Sequence, residues 1–83
     1  MERFEYTITD PVGLHARPAG LLVRKAQEYD AEITLFCNGR SANLKKLLAV
    51  MGLGVRCGDT VTVTVDGDPD AADSLLRFFQ ENL

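Results

Sequence analysis

A single histidine stands in this chain of 83 residues, and its neighbours are residue types that suit phosphate chemistry. His15 lies within the stretch GLHARPAG, residues 13–20. A neutral imidazole is a nucleophile that can attack phosphorus, and Arg17 adds a permanently charged donor fork suited to phosphoryl oxygens. These residues could therefore form a phosphohistidine at His15, with Arg17 binding the phosphoryl oxygens.

A helix start is the element that must position this histidine. Gly13 permits a tight turn, and Pro18 fits the first turn of a helix. Apolar residues then recur at helical spacing and predict a helix over about residues 16–28, with His15 at or near its N-cap. The free N–H groups there, starting at Ala16, attract phosphate. The competing interpretation is a lone surface or capping histidine without reactivity.

Composition limits the classes of protein that the chain can be. An apolar fraction of 46% and a charged fraction of 25% are ordinary for a globular protein, and 83 residues predict one domain, residues 1–83. No membrane span or signal peptide is visible, so we expect a cytosolic protein that does not bind membranes. A net charge of −3 argues against nucleic acid as a partner.

The two cysteines do not indicate a metal site or a disulfide framework, because they are few and far apart. Cys37 and Cys57 each fall in or beside a predicted strand. We interpret both as reduced, small apolar residues that are buried or half-buried.

Periodicity predicts seven elements in the order β-α-β-β-α-β-α. Alternating or glycine-bounded segments predict strands over about residues 3–9, 32–37, 40–42 and 60–65. Helical spacing and capping residues predict the helix of His15, a short helix over about 46–52 and a final helix over about 69–82. The expected fold is α+β, a two-layer open-faced sandwich in which three helices cover one side of a mostly antiparallel four-stranded sheet.

The short second helix has more apolar residues than it can bury. Only some of Leu47, Leu48, Val50 and Met51 can point inward from a helix of two turns. Either all of them belong to the core, or the remainder form an apolar docking patch. We expect the patch, ringed by basic residues: Arg17, Arg24, Lys45, Lys46 and Arg56.

The stretch Gly-Leu-His-Ala-Arg-Pro-Ala resembles the active-centre signature of the HPr family, and the similarity extends over all 83 residues. HPr proteins are histidine-containing phosphocarriers of the bacterial phosphoenolpyruvate-dependent phosphotransferase system. The resemblance implies an open-faced sandwich and phosphorylation of His15 at Nδ1. It also implies that the phosphoryl group is stabilised by the Arg17 side chain and by the start of the helix, residues Ala16, Arg17 and Pro18.

The resemblance also implies two kinds of partner. Enzyme I would donate the phosphoryl group, and the A domains of enzyme II would accept it for sugar uptake. The matching docking residues are Arg24, Leu47, Leu48, Met51 and Gly54, of which Leu48 is the weakest assignment because one helix face must be buried. Such a relay is a carrier rather than a stand-alone enzyme. We expect a monomer, because nothing in the sequence demands an oligomer.

The chain departs from the family pattern at Lys46. Many HPr proteins have a regulatory serine there, opening the short helix, and lysine has no hydroxyl group to phosphorylate. We expect control by seryl phosphorylation to be absent. No P-loop, nucleotide-binding glycine motif or magnesium-binding carboxylate cluster is visible, so we expect no cofactor and no metal.

Two other functions share these residues. An HPr-like regulatory binding module would dock without relaying phosphate, but such family members typically lose the histidine and keep the serine. A carrier of a non-sugar phosphotransfer branch would use the same chemistry with different partners.

Overall fold

The computed structural model describes residues 1–83 and contains the seven predicted elements in the predicted order. The strands are β1 (Glu2–Thr7), β2 (Glu32–Cys37), β3 (Arg40–Asn43) and β4 (Thr60–Asp66), and the helices are α1 (Ala16–Gln27), α2 (Leu47–Met51) and α3 (Pro69–Asn82).

The four strands form one sheet in the order β1-β4-β2-β3, and every neighbouring pair is antiparallel. Val61, Val63 and Val65 of β4 are buried, while the threonines between them lie on the other face of the sheet. This alternation gives the sheet one face for the core and one face without helices. The predicted α+β open-faced sandwich is confirmed.

The core lies between the sheet and the helices and consists of 23 buried apolar residues. Phe79 of α3 is fully buried, and its ring meets those of Phe4 and Tyr6 edge-on, with centroids 5.7 and 5.6 Å apart. Phe78 of α3 is also buried, whereas Leu76 of the same helix is only half-buried.

The first strand ends two residues before its predicted end. Ile8 instead exchanges backbone hydrogen bonds with the turn before β4, donating to the Asp59 carbonyl at 2.9 Å and accepting from the Gly58 N–H at 2.8 Å. The Thr9 N–H donates to the Leu83 carbonyl at 2.6 Å. These distant partners draw the chain out of the sheet and begin the loop that leads to His15.

The prediction for the cysteines is half right. Cys37 is buried in β2, but Cys57 is exposed. Cys57 lies in a turn rather than a strand, and its thiol donates to the Thr9 carbonyl at 3.8 Å. Gly58 permits this turn, because its φ of +91° is one that residues with a side chain rarely adopt. None of the three helices is long and apolar enough to cross a membrane.

Candidate functional site

His15 occupies the N-cap of α1, as the sequence predicted. Its backbone is extended, with φ −97° and ψ −178°, and its carbonyl accepts the first helical hydrogen bond from the Ala19 N–H at 2.9 Å. The half-buried imidazole makes no capping hydrogen bond. The ring is therefore not committed to stabilising the helix.

The first turn of α1 has unpaired donors and no negative charge. The N–H groups of Ala16 and Arg17 donate to no acceptor in the chain, and Pro18 has no N–H to satisfy. No acidic residue lies in this turn. Both exposed donors sit at the positive end of the helix dipole, which is a favourable place for a phosphoryl group attached to the neighbouring histidine.

The loop before α1 is fixed by backbone hydrogen bonds. The Asp10 side chain accepts the Val12 N–H at 2.8 Å, and the Asp10 carbonyl accepts the Gly13 N–H at 2.9 Å. The Leu14 N–H donates to the Val55 carbonyl at 3.1 Å, and Leu14 is buried. His15 thus follows a residue that is tied to a distant segment.

Gly13 meets two requirements at once. Its φ is +77°, and a Cβ at this position would lie 2.7 Å from the Val55 carbonyl oxygen and 2.8 Å from Cα of Arg56. An L-residue would be strained by its backbone conformation and would also collide with backbone atoms. The loop can approach residues 55–57 only because position 13 is glycine.

A shallow groove runs along α1 and reaches α2. It is lined by Arg17, Gly20, Leu21, Val23, Arg24, Gln27 and Leu47. The structure thus brings together three predicted site residues: Arg17, Arg24 and Leu47. Leu21, which is 47% exposed, was not predicted. Its signal in the sequence is an apolar residue on α1 that lies off the stripe of buried positions.

The predicted apolar surplus of α2 is confirmed. Val50 is the residue that α2 buries, whereas Leu48 is 86% exposed, Leu47 is 40% exposed and Met51 is half-buried. Leu48, the weakest docking assignment, is the most exposed large apolar side chain in the chain. Gly54 follows at φ +63° and is exposed, with its N–H donating to the Met51 carbonyl.

Lys45 does not belong to the basic ring predicted around this surface. Its ammonium group donates to the Tyr29 carbonyl beyond the C-terminal end of α1 at 2.6 Å, and the side chain of Gln27 donates to the Lys45 carbonyl at 2.9 Å. The C-terminal end of a helix attracts a cation, and this attraction holds Lys45 there.

The other four basic residues remain exposed: Arg17, Arg24, Lys46 and Arg56. The one salt bridge in the structure joins Arg3 to Glu5, so none of these four pairs with a carboxylate. Lys46 is the N-cap of α2, and its side chain makes no capping hydrogen bond. Arg17 and Arg24 line the groove together with Leu47, and Lys46 directly precedes Leu47, so three unpaired cations lie next to exposed apolar side chains.

Two further features complete the chemistry of the chain. No group of three or more histidine, cysteine, aspartate and glutamate side chains is arranged to hold a metal ion. Burial, together with the negative charge of Asp59, raises the pKa of the Cys37 thiol above its ordinary value. Cys37 is therefore held as the neutral thiol, a poor nucleophile.

Comparison with known proteins identifies the family. The family model described as "PTS HPr component phosphorylation site" matches residues 2–81. The chain belongs to the HPr family of phosphocarriers. This membership makes it a phosphocarrier of the phosphotransferase system.

Individual members of the HPr family agree with this assignment. The chain is 41% identical over 78 residues to the phosphocarrier protein HPr of Mycoplasma capricolum, an alignment that covers 93% of this chain and 88% of the relative. A crystal structure of HPr from Thermoanaerobacter tengcongensis superposes with a TM-score of 0.92 at 30% identity, covering 98% of this chain and 93% of that one. An HPr dimer from the same organism superposes with a TM-score of 0.77 at 30% identity, covering 98% and 95%.

Proposed function

We propose that the chain accepts a phosphoryl group on His15 from phosphorylated enzyme I and donates it to an A domain of enzyme II. The observation that carries this proposal is the open start of α1, where the histidine makes no capping bond and the N–H groups of Ala16 and Arg17 have no acceptor. It acts as a carrier rather than as a stand-alone catalyst. A cytosolic, monomeric form, as expected from the sequence, is part of the proposal.

In the proposed step, Nδ1 of the neutral imidazole of His15 attacks the phosphorus of the donor phosphohistidine. The new N–P bond forms as the N–P bond of the donor breaks, and the donor imidazole leaves with that electron pair. The other ring nitrogen of His15 keeps its proton. In the second transfer, a nucleophile of the enzyme II A domain attacks the phosphorus on His15, and the Nδ1–P bond breaks with its electron pair returning to the His15 imidazole.

Arg17 and the first amides of α1 stabilise the group during transfer. The guanidinium and the N–H groups of Ala16 and Arg17 supply donors to the equatorial oxygens, where charge accumulates. Arg17 is exposed and forms no ion pair, so it is free to do this. A half-buried, open site suits a relay, because its intermediate must remain transferable to a second partner.

Partners dock on the surface formed by the groove and α2. Leu47, Leu48 and Met51 provide apolar contact area, and Gly54 lies at its edge. Arg24 provides charge at the groove, and Arg17, Lys46 and Arg56 add unpaired cations. Unpaired cations around an apolar centre favour a partner with an acidic rim and accelerate the encounter.

Lys46 removes the hydroxyl through which many HPr proteins are regulated. We propose that this chain has no seryl switch at the start of α2. Ser41 lies in β3 and Ser74 in α3, so neither stands at the N-cap of α2. Incubation with HPr kinase and ATP should give no acid-stable phosphoserine, and finding one would contradict this part of the proposal.

The test of the relay is phosphorylation with enzyme I, magnesium and phosphoenolpyruvate, followed by intact-mass measurement. The expected product carries one acid-labile phosphoryl group, and His15→Ala carries none. Failure of the wild-type chain to gain mass with an enzyme I that phosphorylates a reference HPr would contradict the proposal.

The retained His15 disfavours only one of the two other functions. A binding module that no longer relays phosphate has no use for an uncommitted N-cap histidine. A non-sugar branch would use the same site, and transfer from the phosphorylated chain to a panel of A domains distinguishes it from sugar uptake.

A further inference from the structure

Asp59 gathers hydrogen bonds from two separate segments of the chain. One oxygen, Oδ2, accepts the backbone N–H of Arg56 at 2.9 Å, the side-chain amide of Asn38 at 3.4 Å and the thiol of Cys37 at 4.0 Å. Cys37 and Asn38 lie at the β2–β3 hairpin, whereas Arg56 opens the turn before β4. The half-buried carboxylate therefore joins the hairpin to that turn.

The same carboxylate closes the turn formed by residues 56–59. The Asp59 N–H donates to the Arg56 carbonyl at 3.0 Å, while the Asp59 side chain accepts the Arg56 N–H. The turn contains Gly58 at φ +91°, and its N–H donates to Ile8. Removing the carboxylate would leave the Arg56 N–H without an acceptor and the turn closed by one hydrogen bond in place of two.

This turn is the support against which the loop before His15 packs. The Leu14 N–H donates to the Val55 carbonyl, immediately before the turn. A Cβ on Gly13 would lie 2.8 Å from Cα of Arg56 and 3.1 Å from the Cys57 nitrogen, so the two backbones are in close contact. A shift of residues 55–57 would be passed to Leu14 and hence to the N-cap of α1.

We propose that Asp59 is a positioning residue for phosphoryl transfer, acting through the turn at Arg56 and the loop at Leu14 on the placement of His15. This inference rests on the proposed function of His15. Transfer rates fall steeply when reacting groups are misplaced by an ångström. Loss of the Asp59 acceptor therefore slows transfer, while the docking residues on α1 and α2 are unchanged and, of the docking residues, only Arg56 lies within the turn.

The test measures kcat and KM for phosphoryl transfer from phosphorylated enzyme I, with the concentration of wild-type, Asp59→Ala or Asp59→Asn chain varied. For Asp59→Ala we expect kcat to fall about tenfold while KM stays within about twofold. Asp59→Asn retains a side-chain oxygen that can accept the Arg56 N–H, so it should recover most of the lost rate. Unchanged kcat in Asp59→Ala, or equal losses in the two variants, would overturn the role of Asp59.

A second readout does not depend on the partner. In ¹H–¹⁵N spectra of Asp59→Ala, the amide resonances of Leu14 and His15 should move, and in Asp59→Asn they should return toward the wild-type positions. Leu76→Ala is the control for lost stability, because Leu76 lies beside Glu2 and Phe4, at the other end of β1 from the loop. It should leave both amides and kcat unchanged; equal effects in Leu76→Ala would overturn the proposal.

The failure of the inference can be told apart from failure of the proposed function. If the wild-type chain accepts no phosphoryl group, the proposed function fails, and the inference fails with it. If the wild-type chain transfers normally and Asp59→Ala does so equally well, only the role of Asp59 is lost.

Discussion

The two long helices begin in opposite ways. At α3 the side chain of Asp68 caps the helix by accepting the Asp70 N–H at 3.0 Å, Pro69 follows, and Asp70 places a negative charge in the first turn. At α1 the N-cap is His15, which makes no capping bond, and the first turn has no acidic residue. The start of α3 is satisfied by its own side chains, whereas the start of α1 is left open to an external anion.

The two helix starts also differ in which contacts fix their position. Asp68 fixes α3 locally, within two residues. The start of α1 is held from outside, by Leu14 bonded to Val55 and by Gly13 packed on Arg56. Stability that a cap would supply is thus provided by the supporting loop, and the helix N-terminus remains available for chemistry.

Gly13→Ala should have the largest effect, because it breaks the external support of α1. The new Cβ would collide with backbone atoms at a residue with φ +77°, and we expect a loss of about 2–4 kcal/mol in the free energy of unfolding. Chemical denaturation measures this loss. Gly39→Ala is the matched control, since Gly39 has the same φ but open space around it. A Gly13→Ala variant no less stable than Gly39→Ala would contradict the packing argument.

Ala16→Asp makes the first turn of α1 resemble that of α3. The new carboxylate should stabilise the helix by about 0.3–1 kcal/mol. Its charge would repel the phosphoryl group, so transfer to His15 should slow by about a hundredfold. Stopped-flow or quenched phosphorylation assays measure this change, with Ala16→Asn as the uncharged control. Wild-type rates in Ala16→Asp would mean that the phosphoryl group does not use this helix start.

Arg17→Ala removes the one cation in the first turn of α1. Arg17 forms no ion pair, so the fold should keep its stability to within about 0.5 kcal/mol. Transfer should slow by about tenfold through the loss of transition-state stabilisation. Arg17→Lys, which keeps the charge but not the planar fork, should recover part of the rate. Unchanged transfer kinetics in Arg17→Ala would remove Arg17 from the site.

Asp68→Ala has the smallest expected effect, and it tests the capped start of α3 alone. Loss of the cap should cost about 1 kcal/mol in the free energy of unfolding and leave transfer to His15 unchanged. Asp68→Asn keeps an acceptor oxygen and should retain most of the stability. A clear loss of transfer rate in Asp68→Ala would show that the two helix starts are not independent.

Local patterns in the sequence were sufficient for most of the fold. The predicted bounds of β2 and α3 agree with the structure because alternation and a cap followed by proline are properties of adjacent residues. The end of β1 was misjudged because Ile8 and Thr9 pair with Asp59 and Leu83, which are remote in the sequence. The order of the strands in the sheet likewise depends on contacts that no local pattern contains.

In the candidate site, too, some features follow from local sequence patterns and others only from the fold. The N-cap position of His15 and the surplus of apolar residues in α2 follow from spacing along the chain. The hydrogen bond of Lys45 to Tyr29 and the place of Leu21 in the groove arise only when α1 and α2 come together. The hydrogen bonds of Asp59 arise only when the β2–β3 hairpin meets the turn before β4. A charged residue can be found from the sequence, but whether its charge is free depends on the fold.

The most direct test of the contrast between the two helix starts is a ¹H–¹⁵N spectrum recorded before and after phosphorylation by enzyme I. If the phosphoryl group on His15 uses the open start of α1, the amide protons of Ala16 and Arg17 should move downfield as they begin to donate hydrogen bonds to it. The capped amide of Asp70 in α3 should not move. A phosphorylated chain in which the Ala16 and Arg17 amides keep their positions would contradict the account.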